Sequence, residues 1–148
     1  MIIRAAEWKD VHDILEWRND PHTRNMSFNS HKITVEDHNR WFKESISSDN
    51  HHLYIGLNEK EKIGLCYFHL KDTEKISKVS ININPVHRGK GIAEKFLRMS
   101  MDFFFLERTT PILAIVKKIN APSMKIFQRC GYKKVSSTKD KIFYIYSP

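Results

Sequence analysis

The stretch Pro85-Val-His-Arg-Gly-Lys-Gly-Ile-Ala93 restricts this chain more than any other. The alternating run Val79-Ser-Ile-Asn-Ile-Asn84 enters it as a strand, and an amphipathic helix leaves it. A strand, a basic turn and a helix N-terminus together make an anion seat, because first-turn amides have no partner inside their own helix. Gly89 and Gly91 remove the Cβ atoms that would hold a pyrophosphate away, and they tolerate φ > 0. Arg88 and Lys90 add charge to the positive end of the helix.

The remaining composition narrows the setting. The chain has 148 residues, enough for one domain over 1–148 with a sizeable core. No apolar run approaches the roughly 20 residues of a membrane span. The N-terminus lacks a basic segment followed by an apolar one, so a cytoplasmic location is expected. Cys66 and Cys130 are too far apart for a zinc ribbon, sit among apolar residues, and are expected as small buried hydrophobes. The histidines show no second pair at metal spacing, so no metal site is expected. A formal net charge of +8 favours anionic partners. The lysines and arginines are scattered rather than clustered, which weakens a nucleic-acid role.

Periodicity sets the order of elements. Residues 2–5 read as a strand, and Trp8, Val11, Ile14 and Leu15 mark a helix ending near Arg18. Residues 19–33 have no period and read as a loop. Thr34 opens a second helix through Val35, His38, Phe42 and Ile46. Strands follow over 52–57, 62–70 and 75–84. The central helix spans about 91–107, with an apolar stripe of Ile92, Phe96, Met99, Phe103 and Leu106, widened by Leu97 and Phe104. Ile112 to Val116 reads as a strand buried on both faces. Asn120 caps a last helix that stops at Gly131, and strands over 132–136 and 141–146 close the chain. This is an α/β sandwich with a mixed sheet, antiparallel in its first half, and one parallel pair across the central helix.

Two segments carry a family resemblance. Arg88-Gly-Lys-Gly-Ile-Ala93 resembles the acyl-CoA pyrophosphate motif of the GNAT acetyltransferase superfamily, R/Q-x-x-G-x-G/A. Asn120-Ala-Pro-Ser-Met-Lys-Ile-Phe-Gln-Arg-Cys-Gly-Tyr132 is similar to that superfamily's second cofactor segment. The resemblance implies a mostly antiparallel central sheet with helices on both faces, whose one parallel pair splays to admit the pantetheine. It implies acetyl-CoA as co-substrate, with backbone groups at Ile81 and Ile83 pairing with pantetheine. The amides of Arg88, Gly89, Lys90, Gly91, Ile92 and Ala93 would hold the pyrophosphate, with Asn120, Ser123 and Phe127 near the cofactor. It further implies direct attack of an amine within a ternary complex.

The family's usual acid and base do not carry over. Where many members carry a Tyr that protonates the leaving sulfur, this chain has Phe127. Where some carry a Glu base, it has Ser77, with Glu74 the nearest carboxylate. His69, at the end of a strand near the expected thioester, is the side chain nominated as base, with a water relay as the alternative.

The N-terminal half resembles the subgroup that acetylates nucleotide-linked amino sugars, including the pseudaminic-acid pathway's 4-amino-sugar N-acetyltransferase. The match rests on Trp17-Arg-Asn-Asp-Pro21, Arg24, Ser27-Phe28, Ile33 and His38-x-x-Trp41-Phe42. Acceptor contacts are therefore expected from Trp17, Arg18, Asn19, Arg24, His38 and Trp41. Against each stands a structural reading: helix core for the tryptophans and His38, solvated helix end and loop for the arginines. Acceptors of other kinds, a protein N-terminus or a polyamine, stay open, as does a degenerate chain that binds CoA or nucleic acid without turnover. Whether the chain forms a homodimer is left open.

Overall fold

The computed structural model describes residues 1–71, 73 and 75–148. Glu74, expected as the nearest carboxylate, lies outside the described residues. The elements run β1 (Ile2–Ala5), α1 (Val11–Asn19), α2 (Pro21–Met26), α3 (Val35–Ile46), β2 (His51–Asn58), β3 (Glu61–Leu70), β4 (Ser77–Ile83), α4 (Ala93–Phe105), β5 (Ile112–Lys117), α5 (Ala121–Arg129), β6 (Lys133–Ser137) and β7 (Lys141–Tyr146). The strands form one sheet in the order β1-β2-β3-β4-β5-β7-β6, in which only the β4–β5 pair is parallel. The expected mixed α/β architecture is therefore present.

Two apolar clusters cover the two faces. Val11, Ile14, Trp17 and Phe42 of α1 and α3 pack with Leu53, Ile55 and Leu65. Phe96, Leu97, Met101 and Phe104 of α4, Phe127 of α5 and Cys130 just after it pack with Cys66, Phe68 and Val79 on the other side. Both cysteines are free and buried, as expected.

Four readings are corrected. The stretch read as a loop contains α2, because Asp20 caps a new helix by accepting from Thr23 N at 3.1 Å and Pro21 opens it. The α4 stripe is rotated: Phe103 and Leu106 are exposed, whereas Ser100 and Met101 are buried on the face that carries Phe96, Leu97 and Phe104. α4 also begins at Ala93, after both glycines of the turn have left helical geometry. Finally, β5 buries only one face fully, through Ile112, Ala114 and Val116; Leu113 and Ile115 on the other face are half-buried.

A cleft between β4 and β5 follows from divided strand loyalties. β4 pairs with β5 only at Ser77↔Ile112, Lys78↔Leu113 and Val79↔Ala114. Beyond Val79, β4 stays with β3 as far as Gly64↔Ile83, and Asn84 fastens it there by donating from Nδ2 to the Lys62 carbonyl at 2.9 Å. Gly64 permits this closeness, since any Cβ there would run into the Asn82 carbonyl. β5 instead stays with β7 through Lys117↔Lys141. The sheet opens between Ser80–Ile83 and Ile115–Lys117, leaving backbone groups on both edges without a strand partner.

Candidate active site

A cleft of about 1040 Å³ occupies this opening. Its floor is the free edge of β4 with Ile115 and Val116, and one wall carries Gly89, Gly91, Ile92 and Ala93. Asn120, Ser123 and Phe127 of α5 stand opposite. At the far end, Trp41, His51, Tyr67, His69 and Lys78 meet Met26 and Phe28 from α2 and its following loop.

The turn has the properties of an anion seat. Gly89 and Gly91 have φ of 73° and 71°, and a Cβ at either would project into open space rather than protein. Ile92, at the N-cap of α4, has no side-chain oxygen for the first-turn amides. Amides, macrodipole and open volume thus converge on one place, and the wedge beyond it is long enough for an extended arm. These residues fit acetyl-CoA: turn and helix for the pyrophosphate, the free edges at Ile81 and Ile83 for pantetheine.

Other predicted donor residues take more specific roles. Asn120 Oδ1 accepts from Ser123 N at 3.3 Å, so the two form the N-cap of α5 at the cleft wall. Phe127 is buried and packs edge-on against Tyr132 at 5.0 Å, giving the wall an apolar surface. Lys90 is exposed and does not line the cleft. Arg88 lines it, but its guanidinium donates to Asp20 Oδ2 at 2.7 Å and Thr23 Oγ1 at 2.6 Å. The Arg88 side chain thus clasps the start of α2.

The predicted acceptor residues divide. Trp41 and His69 line the cleft; Trp17, Arg18, Asn19, Arg24 and His38 do not. Trp17 is core, 4% exposed between α1 and α3. Asn19 spends its amide on Ile33, donating to the carbonyl at 2.9 Å and accepting from the N–H at 2.8 Å. His38 is buried, donating from Nε2 to the Val11 carbonyl at 2.8 Å and accepting at Nδ1 from Arg18 Nη1 at 3.0 Å. Arg18 can only donate, which fixes that tautomer. Burial first, then the Arg18 and His12 charges, outweigh the Val11 bond and lower the His38 pKa, so the ring is neutral. Arg18 lies 4.3 Å from the centre of the Trp41 ring, a cation behind an aromatic wall. Arg24 has a buried Nε without a hydrogen-bond partner.

His51 and Tyr67 were missed as site residues. The signal lay in the hairpin register. The tight turn pairs Asn58 with Glu61, and a bulge at Gly56/Leu57 then shifts the pairing by one, placing His51 opposite His69. Without the bulge His51 would face Phe68.

Among the described residues lining the cleft, Glu94 is the one carboxylate, and it is paired with Arg98 at 3.0 Å. No group of three or more possible metal-ligating side chains occurs among the described residues.

Comparison with known proteins agrees with this geometry. The acetyltransferase (GNAT) domain family matches residues 1–133. A Bacillus subtilis (strain 168) protein, YwnH, provisionally named a phosphinothricin acetyltransferase, is 24% identical over 89% of this chain and 83% of its own. The fold matches ribosomal-protein-alanine N-acetyltransferase of Brucella melitensis with a TM-score of 0.85 at 16% identity over 100% of both chains. It also matches spermidine N-acetyltransferase of Vibrio cholerae, solved with CoA and spermine, with a TM-score of 0.84 at 17% identity over 97% of this chain and 92% of that one. The chain belongs to the acetyltransferase (GNAT) family and is an acetyl-CoA-dependent N-acetyltransferase.

Proposed function

We propose that the acceptor is a primary amine on a nucleotide-linked amino sugar. The observation that carries this reading is the lining of the cleft's far end. Trp41, Tyr67 and Phe28 offer aromatic surface there, beside His51, His69 and Lys78. The one carboxylate among the described lining residues is Glu94, at the turn end and already paired. Aromatic rings stack on a base or sugar, and the Lys78 ammonium suits a diphosphate. A polyamine needs carboxylates to replace its hydration, which disfavours that acceptor.

Bound acetyl-CoA supplies an acetyl group already activated as a thioester. The protein's own tasks are to hold the donor in the wedge, aim the amine along the open edge of β4, and remove its proton. The free backbone edge at Ile81 and Ile83 would hold the pantetheine arm, and the amides from Arg88 to Ala93 the pyrophosphate. His69 lies one strand in from that edge, opposite Lys78 of β4, and is the proposed proton acceptor. Phe127 carries no proton to give, so the thiolate leaves unassisted; its low basicity allows this.

A second reading, an amine on a small amino acid, draws support from the name of YwnH. One experiment separates them: incubate the protein with acetyl-CoA and equal amounts of UDP-amino sugars, amino acids, a peptide and spermidine, and weigh the products. Acetylated sugar nucleotide as the main product is expected. Acetylated amino acid, peptide or spermidine in its place overturns the assignment.

A further inference from the structure

We infer that His51 and Tyr67 are positioning residues for His69, and that the two stacked imidazoles do not both carry charge, so that His69 meets the acceptor's ammonium as a neutral base. The inference rests on the acetyltransferase reading of this cleft. The bulge-shifted register puts His51 directly opposite His69, with ring centroids 4.1 Å apart and planes at 26°. The Tyr67 ring stacks on both, at 5.6 Å from His51 and 6.1 Å from His69. The Tyr67 hydroxyl lies 2.5 Å from His51 Nδ1.

Burial pushes the Tyr67 pKa up to about 12 against the opposing effects of Ser45, Trp41 and Arg18. The inference assigns the hydroxyl as the donor to Nδ1, which leaves the His51 proton on Nε2. This fixes the tautomer and the ring plane of His51, and the fixed ring holds His69 by stacking.

Two imidazoles this close do not both charge easily. The His51 pKa is lowered by burial first, then by the charges of His69 and His52. Further cationic or basic side chains stand around the pair. Lys78 of β4 is the register partner of His69, His22 of α2 lines the same cleft, and Arg18 of α1 stands behind Trp41. His52 points to the opposite face of β2, beside Phe104. In the step assigned to His69, one proton moves from the ammonium nitrogen to an imidazole nitrogen, and the electron pair stays on the acceptor nitrogen for attack.

The test is an NMR pH titration of the imidazoles in the full chain without ligand, comparing wild type, His51→Asn and Tyr67→Phe. Wild-type His51 is expected as the Nε2–H tautomer, with Tyr67→Phe giving a mixture. His51→Asn is expected to raise the His69 midpoint by about 0.5 pH unit or more, because a competing charge is lost. The acid limb of kcat/KM for the acceptor should move up with it. A His69 midpoint that stays in place in His51→Asn, or a wild-type His51 protonated on Nδ1, overturns the inference; a structural role alone would lower kcat without moving the limb. Absence of turnover in wild type with every amine would defeat the acceptor reading, while the titration still decides the pair.

Discussion

The Arg88 guanidinium donates to the Asp20 carboxylate at 2.7 Å, so the donor turn and the helix α2 that borders the acceptor end are joined by one ion pair. Both partners are partly exposed, and the pair is worth little as stability. Its weight is in positioning. Asp20→Asn keeps the cap of α2 and loses the charge, whereas Asp20→Ala loses both. Thermal unfolding should show Asp20→Asn within about 1 kcal/mol of wild type and Asp20→Ala lower by about 1 kcal/mol more. In both, KM for the acceptor should rise, as steady-state kinetics would show.

Gly91 holds the turn at φ 71° with open space where a Cβ would go. Gly91→Ala should cost about 1–2 kcal/mol in stability from backbone strain. It should also raise the Kd for acetyl-CoA by about tenfold or more, because the methyl enters the pyrophosphate seat and each tenfold is about 1.4 kcal/mol. Calorimetric titration measures the second effect separately from the first.

The buried Asp10 carboxylate receives Arg4 at 2.7 Å and Lys62 at 2.7 Å, fastening β1 and β3 to the start of α1. Burial alone would raise its pKa, but bonds from Arg4, Lys62 and the Glu7 amide outweigh this, and it lies below the usual carboxylate range. A depressed carboxylate contributes stability above its unfolded pKa and loses it as pH falls through the folded value. Stability should therefore decline below about pH 4. Asp10→Ala, which leaves Arg4 without its carboxylate while Lys62 keeps Asp13 at 2.7 Å, should cost about 3 kcal/mol at pH 7 in denaturant titration and flatten that acid decline.

Three histidines add a milder slope at higher pH. Burial is the first cause lowering His38, His51 and His52. Each is more easily protonated unfolded than folded, so its contribution is present above about pH 6.5 and fades as pH falls below it. The melting temperature should drop between pH 7.5 and 5.5, and His38→Gln should reduce that drop while lowering the temperature at pH 7.5.

The turn and the helix cap beside the cleft were legible in the sequence, and the lining of its far end was not, for a physical reason. Gly89, Gly91, Asn120 and Ser123 act through local backbone geometry, a left-handed turn and a helix cap, which short segments encode by themselves. Acceptor-side roles depend on which way a side chain turns in three dimensions. Arg18 and His38 fit an acceptor-binding reading in one dimension, yet each meets the other inside the fold. His51 looked idle until a bulge 5 residues along its strand set it against His69. The α2 cap at Asp20 reads equally as a helix stop, because Asp-Pro ends one helix and starts another.

The most direct measurement of the central claim is amide chemical-shift mapping, first with acetyl-CoA and then with a UDP-amino sugar added to the CoA complex. The account predicts saturable donor shifts at Ile81, Ile83, Gly89 to Ala93, Asn120 and Ser123, followed by acceptor shifts at Trp41, His51, Tyr67 and His69. Donor shifts absent from the Gly89–Gly91 turn, or acceptor shifts confined to the shallower hollow beside Trp17, Ile33 and Val86, would contradict it.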